Sequence, residues 1–189
     1  AEEQDVLSGY VGWGGLSQAF DEKHPQWQKE NAELKELLTE EEYRSAQATT
    51  LNAHYTPPMI IQAVFRAIEG MGFRAGNILD AGCGTGNFYG CLPESMEGSK
   101  LTGVEIDSLT GRIARQLYQK ERILIQGFEK ADLPDSFYDL MVGNVPFGGY
   151  GVADPRYDKY HFHIHDYFLA KGLDKLRPGG VMAVITSNG

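Results

Sequence analysis

Cysteine is scarce in this chain. Its 189 residues hold two, Cys83 and Cys91, too few for a disulfide framework or a four-cysteine metal site. Positive charge is also short, with 17 Lys and Arg against 26 Asp and Glu and a net charge of -9. A domain that grips nucleic acid unaided usually carries a basic surplus, so any such grip is local or comes from other parts. Long apolar runs are missing, since no stretch approaches the roughly 18 residues of a membrane span. The opening Ala1-Glu2-Glu3-Gln4-Asp5 is acidic, unlike a signal peptide. A cytoplasmic protein without membrane contact is the expectation.

What is present suits a folded domain. At roughly 150 residues per domain, the length allows one full domain and a small extension. Hydrophobic residues at 42% and charged residues at 23% exclude a disordered or collagen-like chain. The chain opens on alanine and stops on Ile185-Thr186-Ser187-Asn188-Gly189, directly after an apolar run. It reads as a piece of something longer.

The acidity is uneven: residues 1–50 hold 11 acidic and 4 basic residues, residues 51–189 hold 15 and 13. The first 50 residues read as an acidic helical extension. Pro25 suits a first helical turn, with Trp27, Leu34, Leu37 and Leu38 as one apolar stripe, and Thr39 with Glu42 has capping-box spacing. Ahead of them the four glycines of Gly9-Tyr10-Val11-Gly12-Trp13-Gly14-Gly15-Leu16 disfavour a helix and suggest a tight loop packed by Trp13.

From residue 56 the pattern alternates. Thr56 can cap a helix that starts with Pro57 and Pro58, with Ile60, Ile61, Val64, Phe65 and Ile68 toward a core. Short apolar runs follow at Ile78-Leu79, Leu101 to Val104, Ile123 to Ile125, Leu140 to Val142 and Val181 to Ile185. Between them lie helical stretches, Ser108 to Lys120 and about Phe162 to Leu176, the latter with Ile164, Phe168, Leu169, Leu173 and Leu176 inward. Such alternation implies an α/β fold, a parallel sheet covered by helices on both faces, with ligands beyond the carboxyl ends of the strands.

Three segments at such strand ends carry chemistry. Asp80-Ala81-Gly82-Cys83-Gly84-Thr85-Gly86-Asn87-Phe88 follows the first strand, and its glycines let the backbone turn sharply and approach a ligand. The dinucleotide fingerprint G-x-G-x-x-G fails, because Asn87 or Tyr89 stands where its third glycine belongs. Glu105 and Ile106 end the second strand, 25 residues beyond Asp80, where a carboxylate can accept hydrogen bonds from ribose hydroxyls. Gly143-Asn144-Val145-Pro146-Phe147 follows the fourth. His161, His163 and His165 with Asp166 invite a metal reading, but a spacing of two diverges on a helix and no cysteine or further histidine supports it. The stretch from Gly148 to His161, with Arg156 and Lys159, reads as a functional loop.

The D-x-G-x-G-x-G form resembles motif I of S-adenosylmethionine-dependent methyltransferases. The resemblance implies a Rossmann-like fold with strand order 3-2-1-4-5. It implies a cofactor cradle of Gly82, Cys83, Gly84, Gly86, Asn87 and Phe88, with Asp80 at the ammonium, Glu105 at the ribose and Ile106 at the adenine. Asn144 to Phe147 resembles motif IV of amino-methyltransferases, [D/N]-P-P-[Y/F]. There the Asn144 side chain and the Val145 carbonyl would accept the two N–H bonds of a planar amino group ahead of Pro146, and Phe147 would stack on the base. Val145 stands where that motif has its first proline. Gln126-Gly127-Phe128-Glu129 stands where the family often has an adenine-reading Asp, leaving Phe128 to stack. Asn52-Ala53-His54-Tyr55-Thr56-Pro57-Pro58 resembles motif X, whose Tyr55 and Thr56 would close over the methionine moiety.

This motif order is that of N6-adenine DNA methyltransferases, and it covers residues 51–189. Gly12 to Phe20, N-V-P-F-G and the stretch from Asp154 resemble a narrower set, the large helicase–methylase polypeptides of phages and mobile elements. The resemblance implies DNA as partner, bound mostly through helicase and target-recognition regions elsewhere in a parent chain. Such sheets continue past the fifth strand, so the domain is expected to be incomplete at its C-terminus. Two rivals stay open at this point: a protein-glutamine or rRNA-guanine N-methyltransferase, and a degenerate cofactor-binding module.

Overall fold

The computed structural model describes residues 2–50 and 55–186. Five strands, β1 (Asn77–Asp80), β2 (Lys100–Glu105), β3 (Arg122–Ile125), β4 (Tyr138–Asn144) and β5 (Leu176–Ile185), form one sheet. Its order is β3-β2-β1-β4-β5, and every neighbouring pair is parallel. Seven α-helices accompany them among the described residues: α1 (Glu2–Ser8), α2 (Gln28–Leu37), α3 (Glu40–Thr49), α4 (Pro58–Gly70), α5 (Asn87–Gly90), α6 (Ser108–Leu117) and α7 (Ile164–Lys175). This is the Rossmann-like architecture expected above.

Successive strand residues point to opposite faces, and the central strands are apolar on both. Leu79 and Met141 join Val104, Phe128, Tyr167 and Phe168 in the core under α7. Ile78, Leu140 and Val142 join Ile61, Phe65 and Ile68 of α4 on the other face. Each fully buried Leu, Ile or Phe contributes about 1.5–3 kcal/mol, so this double cover fixes the register. Asp80 lies opposite Gly103 and Val142, and Asn144 opposite Ile185. Asp80, Glu105 and Asn144 therefore end three strands on one edge of the sheet.

Several local expectations change. The helix expected from Pro25 begins at Gln28, and Leu37 points to solvent rather than into the stripe. Thr39 and Glu42 do form the capping box of α3. Pro57, not Thr56, caps α4, and Ile60 is 44% exposed; a proline at N1 presets the helical φ and leaves Thr56 free for another role. The buried stripe of α7 runs Ile164, Tyr167, Phe168, Lys171, Gly172, Lys175, so Leu173 is exposed. Both lysines find partners there: Lys171 Nζ donates to Asp154 (3.0 Å) and Lys175 Nζ to the Leu133 carbonyl (2.8 Å). β5 starts at Leu176 and shifts register before Val181, around Gly179 with φ +80°.

Candidate cofactor and acceptor site

A cavity of about 540 Å³ opens at this carboxyl edge. Tyr55, Thr56, Gly82, Cys83, Gly84, Asn87, Phe88, Glu105, Ile106, Phe128, Asn144 and Pro146 line it. The structure thus brings together most residues singled out from the sequence. Asn52, Ala53 and His54 lie outside the described residues.

Glycines shape the β1 loop. Gly84 and Gly86 take φ of +56° and +90°, which side-chain-bearing residues rarely adopt. Gly86 faces away from the cavity, because a Cβ there would overlap the Tyr118 ring. Gly82 faces the β4 end: a Cβ on it would stand 3.5 Å from the Asn144 carbonyl oxygen, an ordinary contact distance.

The two acidic strand ends differ in their surroundings. Glu105 is held by two backbone donors, Gly84 N–H (2.9 Å) and Asp107 N–H (2.8 Å). Burial still outweighs those bonds and pushes its carboxyl up to about 7. Asp80 is fully buried behind the lining; Oδ1 accepts from Gly82 N–H (3.3 Å), while Oδ2 is sealed from water without a hydrogen-bond partner. Burial, reinforced by the charge of Glu105, pushes Asp80 up to about 8. Thr56 Oγ1, on the wall, is likewise buried without a partner. Orphaned polar atoms of this kind are costly unless a ligand completes them.

On the acceptor side, Asn144 and Pro146 line the cavity, whereas Val145 is buried in the core and Phe147 stands half-buried off the lining. Val145 N–H donates to the Ile185 carbonyl (3.0 Å) and so prolongs the β4–β5 ladder. A proline at this position would have no N–H for that bond. Phe128 is buried with its ring 4.9 Å from that of Phe168, and Lys171 Nζ lies 5.1 Å from the Phe128 centroid. Among the described residues no three His, Cys, Asp or Glu side chains converge as a metal site, and no helix is long and apolar enough to cross a membrane.

Other residues complete the lining, Tyr150 among them from the stretch that the sequence marks as a functional loop. Glu129 follows Phe128 onto the wall, and Tyr150 and Ile164 come from the loop after β4 and from α7. Trp13 and, from α3, Ser45, Ala48 and Thr49 reach the cavity from the N-terminal segment. The glycine–tryptophan run was visible in the sequence; its destination was not, because no periodicity encodes where a loop docks.

A family model described as "Methyltransferase domain" matches residues 79–145. The chain is 31% identical over 189 residues to the Defense against restriction protein B of Escherichia phage P1, spanning 97% of this chain and 7% of that protein. It is 34% identical over 93 residues to the Type II methyltransferase M.CvrRI of Paramecium bursaria Chlorella virus XZ-6E, spanning 49% of this chain and 24% of that protein. The chain thus spans a small part of the curated relatives it matches. Among solved structures, a modification subunit assigned to a type I restriction enzyme of Vibrio vulnificus YJ016 superposes with TM-score 0.58 at 19% identity, over 86% of this chain and 38% of that one. The plantazolicin methyltransferase BpumL, solved with S-adenosylhomocysteine, does so with TM-score 0.54 at 16% identity, over 100% and 63%.

The chain carries the S-adenosylmethionine-dependent methyltransferase fold, and S-adenosylmethionine is the cofactor of that fold. The residues fit such a group: a glycine cradle, a buried acidic oxygen lacking a donor, and a second carboxylate at the β2 end.

Proposed function

We propose that this domain transfers a methyl group from S-adenosylmethionine to the N6 amino group of adenine in DNA. The observation that carries the reading is that the β1 glycine loop and Asn144 line one cavity, with Gly82 facing the Asn144 carbonyl. When bound, the cofactor supplies a methyl group already activated by its sulfonium, so the protein needs no strong base. Its own task is to orient and desolvate.

In this reading Asp80, with Tyr55, Thr56, Gly82, Cys83, Gly84, Gly86, Asn87 and Phe88, holds or shapes the amino-acid side of the site. Glu105 accepts from the ribose hydroxyls, Ile106 flanks the adenine, and Phe128 with Glu129 borders it. Asn144 and the Val145 carbonyl accept the N–H bonds of the target amino group, favouring a pyramidal, nucleophilic nitrogen, while Pro146 keeps the turn rigid. Phe147 has to swing from its half-buried place to stack on a flipped base. Residues 51–189 form the methyltransferase unit and residues 1–50 an extension docked on it. DNA selection and any helicase function belong to other parts of a parent protein. The viral methyltransferase and the restriction-linked relatives support DNA as the substrate class.

The test is methylation of DNA with labelled S-adenosylmethionine by the full-length parent protein, followed by mapping of the methylated atom. Label at adenine N6, abolished by Asn144→Ala, is expected. Label on another base or on protein, or parental activity in Asn144→Ala, contradicts the reading.

A further inference from the structure

The Gly12-Trp13 turn has no part in the chemistry above, yet it sits on the cavity. We propose that this turn and α3 are part of the cofactor pocket, with Trp13 as a cofactor-contacting residue on the Glu105 side. The inference rests on the cofactor reading of that cavity.

Three observations carry it. First, Trp13, Ser45, Ala48 and Thr49 line the same cavity as Glu105. Second, the segment is fastened where β2 passes into α6. Asp107 caps α6 through Thr110 N–H (3.2 Å) and accepts from Ser45 Oγ (2.9 Å), while Ser108 N–H donates to Ser45 Oγ (3.4 Å). Tyr10 and Thr110 hydroxyls bond at 3.3 Å, and Arg112 pairs with Glu42. The residues next to Glu105 thus also anchor the extension.

Third, the turn is built around a cofactor-loop neighbour. Gly12 has φ +71°, and a Cβ there would overlap the Tyr55 ring at Cε2. At its Cε1 the same ring lies 3.4 Å from where a Cβ on Gly84 would stand. Tyr55 therefore bridges the N-terminal turn and the glycine loop. The indole is aimed by edge contacts with Phe20 (5.5 Å, 86°) and Tyr10 (6.0 Å, 80°), and Gly15 N–H ties the turn to the Thr50 carbonyl (2.9 Å). A rigidly held indole supplies apolar, π-rich area of the kind that stacks on bases and attracts cationic groups.

Trp13 and Trp27 are the only tryptophans in the chain, so Trp27→Phe isolates the Trp13 emission. Titration of that variant with S-adenosylhomocysteine is expected to shift or quench the emission, saturating at the dissociation constant that calorimetry gives. Trp13→Ala is expected to weaken binding by about tenfold or more, and Trp13→Phe by about threefold or less, since a phenyl ring retains much of the aromatic area. Ala48 is exposed on the wall, so Ala48→Phe fills the pocket without disturbing a core; it too is expected to weaken binding by about tenfold, as a filled cavity excludes its ligand. Calorimetric binding with flat Trp13 emission and parental affinity in Trp13→Ala and Ala48→Phe overturns the proposal while leaving the cofactor reading intact. Absence of binding in the parent chain overturns both.

Discussion

Gly143 yields the space that the Asp80 carboxylate occupies: a Cβ on Gly143 would stand 2.5 Å from Asp80 Oδ1, and its φ is +138°. The strand that ends in the proposed acceptor motif is therefore shaped by the acidic residue of the cofactor loop. Gly143→Ala must displace Asp80 and adopt a strained backbone, a cost of about 1–3 kcal/mol. Denaturant unfolding should show that loss, and calorimetry a weaker affinity for S-adenosylhomocysteine. Parental stability and affinity together would show that the two strand ends are not coupled.

The pH dependence has a definite sign. Asp80 and Glu105 titrate near 8 and 7 in the folded chain, against ordinary values of 3.8 and 4.5, chiefly because of burial. Over that window the native state binds more protons than the unfolded one, so stability without cofactor falls as pH rises from about 4 toward 8. A cationic ligand group favours the ionised carboxylates, so cofactor affinity should rise over the same range. Melting curves with and without S-adenosylmethionine at several pH values should show a ligand-induced shift that grows with pH. Asp80→Asn should flatten that trend; an unchanged trend in Asp80→Asn would remove this residue from the linkage.

Val145→Pro recreates the commoner form of the acceptor motif and should nonetheless harm this chain. It deletes the N–H bond to Ile185 and leaves that carbonyl without its partner, a cost of about 1–3 kcal/mol. Urea denaturation measures it, and a neutral or stabilising result would show that the ladder does not depend on this bond.

The loop after β4 hangs on a buried ion pair. Asp154 Oδ2 accepts from both Lys171 Nζ (3.0 Å) and Tyr167 Oη (2.7 Å). Removing one partner of a buried pair costs about 3–5 kcal/mol, so Lys171→Met should destabilise strongly. Adding Asp154→Asn should recover part of the loss by removing the stranded charge. Strictly additive losses in the double variant would show that the two groups act independently.

Much of this fold was legible because its signals are local. The apolar pairs Ile78-Leu79 and Leu140-Met141 serve both sheet faces, the glycine loop follows β1 directly, and Glu105 and Asn144 are the last residues of β2 and β4. What escaped depends on tertiary partners. Leu173 reads as inward-facing, but Lys171 and Lys175 are buried against Asp154, Asp135 and Leu133, which rotates the buried stripe and exposes Leu173. Thr56 read as a helix cap, but Pro57 takes that position and Thr56 turns to the cavity. Trp13 reads as a loop-packing residue, while its place on the cavity wall depends on bonds from Tyr10 and Ser45 to residues more than 60 positions away.

The central claim is that the cavity at the ends of β1, β2 and β4 holds the cofactor through Asp80 and Glu105. Isothermal titration of the 189-residue chain with S-adenosylhomocysteine tests it most directly. The account predicts one saturable site in the parent, weakened by about 1–3 kcal/mol in both Asp80→Ala and Glu105→Ala, the range for losing hydrogen bonds to charged groups. Parental affinity in both variants would contradict it.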